Sequence, residues 1–421
     1  MVKKIKLPNG LRIVFVPQPK SLTATVLVLV EAGSEYETKK INGLSHFLEH
    51  LMFKGTTKRP EPGTIARELD SLGAEYNAFT GQEYTGYWAK SQSHKLPAIL
   101  ELVSDLYLNP IFNAAEIEKE RGVIIEEINM YEDTPMRRVQ ETFSSLMYGD
   151  QPAGWDIAGK KEVIRKLSRE QFMQYREKHY VAPATLVVVA GDFDHKRVLK
   201  DIQAGYGRLP KRPRNHKSPP RGVQTKPRSA VKFKASDQSH LVLGVPAFDI
   251  FDSRRHALEV LADVLGGGMS SRLFRRVREE LGAAYYVRAG VDLFTDHGLF
   301  AVSAGVDHQK IEIVLAAVLA ELKLLSRERV GPTELKKAKD HMIGNMILGL
   351  ESSDELASFY GGQEILTRKL VAPKALIKKV EAVTADEIRK LAKALFLTGK
   401  LNLAIIGPYK KPESFKKILK L

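Results

Sequence analysis

The chain has 421 residues, 43% hydrophobic and 27% charged, with a formal net charge of +15 and no cysteine. That size suggests about two to four domains of ordinary globular composition. Without cysteine there are no disulfides, thiolate metal sites or cysteine nucleophile, so any metal must be held by nitrogen and oxygen. No apolar run approaches the length needed to cross a bilayer, and the expected location is the cytoplasm.

The opening, MVKKIKLPNGLRIVFV, reaches Pro8-Asn9-Gly10 before any apolar stretch develops. It reads as strand, turn and strand rather than as a signal peptide. TVLVLVEAGS (25–34) reads as a further strand. NGLSHFLEHLMFKGT (42–56) then reads as a buried helix, because Leu44, Phe47, Leu48, Leu51 and Met52 cover most of its surface. Asn42 or Ser45 is its expected N-cap, and Gly55 ends it. His46, Glu49 and His50 share one face of that helix, since residues three and four apart stack. Ionisable groups in such a setting are unfavourable unless paired or coordinated to a metal. Hydrogen-bonded core histidines are the alternative reading.

NAFTGQEYTGYW (77–88) alternates small and aromatic residues around Gly81 and Gly86 and reads as a strand pair. AAEIEKERGVIIEEINMYED (114–133) reads as a long helix whose inner stripe is Ile117, Arg121, Ile124, Ile128 and Tyr131. At about 100° per residue, Glu120 and Glu127 flank that stripe on one side, while Glu126 points to the opposite face. Two histidines need a third protein ligand if a catalytic zinc is to keep a position open for water. Helix geometry favours Glu127 for that role over its neighbour; a pair of surface glutamates is the alternative.

From Arg208 to Arg228 the chain is rich in charge and proline, with Lys211, Arg212, Arg214, Lys217, Arg221 and Lys226 among five prolines. Such composition predicts a solvated, semi-extended linker. The expected division is therefore residues 1–208, a linker at 209–228, and residues 229–421. The halves also resemble each other. TLVVVAG (185–191) matches LNLAIIG (401–407), AEIEKER (115–121) matches TELKKAK (333–339), and TVLVLVEAGS matches HLVLGVPAFD (240–249). The expected fold class is α+β, with two similar domains, each a mainly antiparallel sheet packed against long helices. In this comparison Ala257, Val260 and Leu261 fall opposite His46, Glu49 and His50, and Ala338 and Asn345 fall opposite Glu120 and Glu127. The polar set belongs to the first half alone. Gly266-Gly267-Gly268 lacks the spacing and the Lys-Ser/Thr of a phosphate-binding loop.

His46-x-x-Glu49-His50 followed far along the chain by Glu127 resembles the inverted zinc motif of the pitrilysin family, which includes insulysin and the mitochondrial processing peptidases. GLSHFLEHLMFKGT, NAFTGQEYTGYW, ERGVIIEEI (120–128) and GGGMSSRLFRRVREELGAAYYV (266–287) resemble its segments in order. The resemblance spans the whole chain and fits the short, two-domain form of the family. It implies zinc, rather than manganese or cobalt, on His46, His50 and Glu127. It implies Glu49 as general base and Glu120 as a supporting catalytic carboxylate. Asn77, Ala78 and Phe79 would form an edge that takes an extended peptide through backbone hydrogen bonds. Arg278 and Tyr285 would contact substrate from the second half, with Tyr286 as fallback, because Gly282-Ala283-Ala284-Tyr285-Tyr286 stands where Gly-Leu-Ala-Tyr-Ser is more usual.

The resemblance further implies a zinc endopeptidase acting on peptides or unfolded segments inside a chamber. Its working form would be a homodimer with active sites shared between the chains. One alternative is a non-catalytic scaffold subunit of a peptidase-like complex. The other is a basic nucleic-acid-associated protein, against which stands the lack of any RNP-like, zinc-finger or basic-heptad pattern. Neither nucleic acid nor a membrane is expected as a partner.

Overall fold

Runs rich in Val, Ile and Leu become strands because branched side chains pack well on a pleated surface. A computed structural model describes residues 2–410 and 413–421 and arranges these strands in two sheets. The first contains β1 (Lys3–Lys6), β2 (Arg12–Pro17), β3 (Thr23–Val30), β4 (Glu75–Thr80), β5 (Thr85–Gln92) and β6 (Thr185–Gly191), in the order β1-β2-β6-β3-β5-β4. The second contains β7 (Arg228–Phe233), β8 (Ser239–Ala247), β9 (Ala284–Leu293), β10 (Gly298–Val306) and β11 (Asn402–Gly407), in the order β7-β11-β8-β10-β9. Without β1 the two orders coincide strand for strand. The repeated segments read from the sequence therefore occupy equivalent places, β3 with β8 and β6 with β11. Each sheet has one parallel pair, β2 with β6 and β7 with β11, and is otherwise antiparallel.

The first half supplies helices α1 (Leu44–Met52), α2 (Thr64–Ser71), α3 (Leu96–Leu108), α4 (Ala114–Asp133), α5 (Pro135–Tyr148), α6 (Lys161–Ile164), α7 (Arg169–His179) and α8 (His195–Tyr206). The second adds α9 (Arg255–Gly266), α10 (Ile311–Arg327), α11 (Pro332–Leu348) and α12 (Ser353–Thr367), followed by shorter helices. α3 lies on β3 and β5, and α1 lies beside the edge strand β4.

One boundary between the compact units, Ser218/Pro219, lies inside 209–228, but each unit also takes in a segment of the other half. One unit takes the chain up to Ile128, then Asp156–Ser218 and Leu348–Leu370; the other takes Asn129–Trp155, Pro219–Ile347 and the chain from Val371. The reason is an exchange of helices between the halves. α12 packs on β2, β3 and β6 of the first sheet, and α5 on β7, β8 and β11 of the second. Ala357, Tyr360 and Ile365 of α12 are buried against Val14, Leu27, Leu29 and Val188. Val139, Phe143 and Met147 of α5 are buried against Val242, Ala404 and Ile406. At about 1.5–3 kcal/mol for each large apolar side chain, burial fixes either helix to its sheet.

An ionic network also holds α12. Glu364, fully buried, lies 3.2 Å from the Arg12 guanidinium and 2.8 Å from Lys4 Nζ. Arg12 also reaches Glu31 at 2.7 Å, and Arg214 of the basic segment meets the other oxygen of Glu31 at 2.6 Å. Burial pushes the Glu31 carboxyl up from its ordinary value and Arg12 down, and the pairing opposes both shifts. The segment is irregular and largely exposed, as a linker would be, yet parts of it are tied to the first unit. Arg214 and Lys217 pair with acids already buried in the first unit, while Arg212 meets the exposed Glu177 and Asn215 donates to Lys178 O.

Candidate metal centre

α1 starts at Gly43, whose φ of 96° lies in the left-handed region, and a Cβ there would meet Ala158 O at 2.5 Å. Neither Asn42 nor Ser45 caps it, contrary to the sequence expectation. The cap comes from Glu37, whose carboxylate accepts from Ser45 N at 2.6 Å, Gly43 N at 2.8 Å and Asn42 Nδ2 at 3.0 Å. An anion at a helix N-terminus meets donors that have no partner within the helix. Burial nonetheless pushes Glu37 up to about 7, against the bonds from Ser45 and Gly43. Ser45 is drawn away by Tyr175, whose hydroxyl lies 2.8 Å from its own.

In α4 the apolar stripe of Ile117, Ile124 and Ile128 is buried, as its period predicts. Glu126 is exposed, Glu127 half-buried and Glu120 buried, so the two flanking glutamates face inward. His46 Nε2 and His50 Nε2 each lie 3.5 Å from Glu127 Oε2. One ligand atom from each of the three residues falls within a span of 4.8 Å. Those contacts are long for hydrogen bonds. They approach the spacing of neighbouring ligands on a tetrahedral zinc, roughly 3.3 Å for bonds of about 2.0–2.1 Å. Two imidazoles and a carboxylate are also a donor set that zinc accepts, so the residues fit the ion.

Glu120 supports the cluster from behind. Its Oε1 lies 2.8 Å from His50 Nδ1, and its Oε2 lies 2.6 Å from Lys54 Nζ. Burial works to raise its pKa, but the bonds from His50 and Lys54 outweigh it and hold the group below its ordinary value. An ionised Glu120 takes the Nδ1 proton of His50 as a hydrogen bond and leaves the Nε2 lone pair facing the cluster. Glu49 stands between the two histidines in sequence and bonds elsewhere: its Oε2 accepts from Thr80 Oγ1 at 2.7 Å. Burial raises its pKa, and the Thr80 bond partly offsets that.

Thr80 belongs to β4, the outermost strand of its sheet. Tyr76, Ala78 and Thr80 alternate with the more exposed Glu75, Asn77 and Phe79. Phe79 lies across the strand pair over Gly86, where a Cβ would come within 2.4 Å of its ring. Asn77, Ala78 and Phe79 therefore sit at a sheet edge as the sequence implied, and Thr80, unnoticed there, ties that edge to Glu49.

Within the second unit, Arg278 stands on a π-helical stretch, Phe274–Glu280, and its Nη1 donates to Tyr285 O at 2.6 Å. Tyr285 is 70% exposed. The Tyr286 hydroxyl instead lies 3.1 Å from His240 Nδ1, and burial pushes it up to about 12. Tyr285, rather than the fallback, is thus the phenol presented to solvent. Ala257, Val260 and Leu261 are buried on α9 and Ala338 on α11, while Asn345, opposite Glu127, bonds to His341, so the second copy of the helix pair lacks the ligand set.

A doubled α+β unit with a His-His-Glu cluster in one copy alone is a scaffold with one site able to hold a metal ion. Residues 12–161 match the family described as insulinase (peptidase family M16), and residues 166–342 match the peptidase M16 inactive domain. The chain is 34% identical to an uncharacterized zinc protease of Streptomyces coelicolor, over 98% of this chain and 91% of that one. It is 33% identical to one of Bacillus subtilis, over 97% and 98%. The chain belongs to peptidase family M16. In fold it is similar to a protease from Helicobacter pylori, with a TM-score of 0.91 at 23% identity over 97% of this chain and 99% of that one. A peptidase M16 inactive domain from Pseudomonas fluorescens gives 0.88 at 19% identity, over 97% and 98%. Among the described residues no helix is long and apolar enough to cross a membrane.

Proposed function

We propose that this chain is an active zinc endopeptidase. The convergence of His46, His50 and Glu127 carries the reading, with Glu49 on the same helix as both histidines. A zinc ion held there supplies a Lewis acid and lowers the pKa of water toward neutrality. Glu49 takes the proton from the attacking water on its carboxylate and returns it to the leaving amine. Glu120 fixes the tautomer and orientation of His50. The edge of β4 pairs with the backbone of an extended peptide, which favours unfolded segments of modest length over folded proteins. Arg278 donates to a substrate carbonyl, and the Tyr285 hydroxyl steadies charge developing on oxygen.

By family resemblance, the working form is a homodimer that encloses a chamber, each centre combining the zinc residues of one chain with Arg278 and Tyr285 of the other. A scaffold subunit would have no need of an intact His-His-Glu set with its base. The test is Glu49→Gln in the full chain. It should retain about one zinc per chain and still bind a quenched fluorogenic peptide, while hydrolysis falls by about 10²–10⁴-fold. A chelator should abolish the parent's cleavage and added zinc restore it. Cleavage by Glu49→Gln at a rate near the parent's would place the base elsewhere.

A further inference from the structure

Lys217 belongs to the basic segment between the halves, yet its side chain is only 5% exposed. Its Nζ lies 2.5 Å from Glu35 Oε2 and 3.1 Å from Glu83 Oε1, two carboxylates that are themselves buried. Burying an ammonium is costly unless it is closely paired, so this contact is a built feature. The chain beside it is held to the same unit by Arg214 on Glu31 and by Asn215 Nδ2 donating to Lys178 O at 2.6 Å.

The two carboxylates lead to two different supports of α1. Glu35 lies two residues before Glu37, whose carboxylate caps α1 at Gly43 and Ser45. Glu83 lies in the β4–β5 turn, three residues beyond Thr80, whose hydroxyl holds Glu49. The same two loops meet through their backbones, with Ser34 N donating to Gly81 O at 3.2 Å and Glu35 N to Gln82 O at 3.0 Å.

We infer that Lys217 is a positioning residue that clamps the loop capping α1 to the β4–β5 turn, and so keeps Glu49 and the β4 edge in place. The part played by Glu49 rests on the endopeptidase reading above; the clamp itself does not. With the ammonium gone, the two buried carboxylates lose the cation that joins them. The turn then leaves the loop at Gly33–Glu35, and Thr80 moves with it. The His-His-Glu cluster is carried by α1 and α4, so zinc binding survives the change.

The test uses Lys217→Met in the full chain, with Lys217→Arg as the conservative variant. Arg212→Ala, which removes an exposed pair with Glu177, is the control. The amides of Ser34 and Glu35, the donors across this contact, should exchange with deuterium about tenfold faster in Lys217→Met, with the core strands unchanged. Its kcat should fall about tenfold, well beyond any change in KM, at unchanged zinc content. Arginine should restore most of both, and the control should alter neither. Should Lys217→Met fail to fold, Glu83→Gln breaks the same tie from the other end and must reproduce the local exchange and the loss in kcat. Unchanged exchange at Ser34 and Glu35, or an increase spread evenly over the whole unit, would overturn the clamp. So would faster exchange in a variant that keeps full kcat. A parent without peptidase activity would instead sink the functional reading, while the exchange data still decide whether Lys217 holds the turn.

Discussion

Glu126 and Glu127 are neighbours on one helix, and only the second turns toward the histidines. Glu127→Gln should weaken zinc binding at least about a hundredfold, measured by competition with a chelating dye, while Glu126→Gln leaves it unchanged. Equal effects would refute the assignment by helix face. A second residue-scale expectation concerns pH. His179, at the end of α7, stacks on Tyr175 at 4.2 Å, and burial pushes its pKa from 6.5 down to about 4. Between those values the unfolded chain binds more protons than the folded one, so stability rises with pH. The contribution, about 3 kcal/mol, is complete above pH 6.5 and is lost as pH falls toward 4. His179→Phe should therefore flatten the pH dependence of the denaturation midpoint across that window; an unchanged slope would show that other groups set it. The histidine pair and its glutamates were legible in the sequence because their helix period fixes which side chains share a face. Glu37 and Thr80 were not, since a cap from an upstream loop and a bond from a strand leave no periodic trace.

At the level of elements, the strands and long helices follow from composition and period, but the sheet each helix covers does not. α5 and α12 both carry apolar stripes, and a stripe specifies only that a face is buried. The ionic network under α12 supplies the missing specificity. Arg12→Met leaves Glu31 and Glu364 buried with fewer counter-charges and should destabilise the fold by about 3–5 kcal/mol in chemical denaturation. Lys4, 38% exposed at its own pair with Glu364, should matter far less when replaced by alanine, by about 1 kcal/mol or under. Similar losses for both would show that burial is not what gives the network its weight.

For the molecule as a whole, the doubling was legible from three short matches, and strand order bears it out. The ties that Arg214 and Lys217 make were not legible, because composition reports how a segment would behave alone and their buried partners lie far away in sequence. Those pairings also internalise part of the basic excess that favoured a nucleic-acid reading. The shared-site homodimer is testable by mixing two inactive variants, Glu49→Gln and the double change Arg278→Ala with Tyr285→Phe. With subunit exchange, a heterodimer would hold one of its two centres with both halves intact, so about half of parental activity per such dimer, or about a quarter for a fully exchanged equal mixture, should return. A mixture that exchanges subunits yet stays dead would show that each chain works alone.

The exchanged helices have a consequence during synthesis. The first sheet is complete once β6 has been made, but the face that α12 covers waits for Leu348–Leu370. At about 5–20 residues per second, the ribosome needs roughly ten to thirty seconds to supply it. Throughout that interval Val14, Leu27, Leu29 and Val188 present an apolar sheet face to the cell. A chain truncated before Leu348 should therefore aggregate where the full chain does not, as light scattering of the two would show.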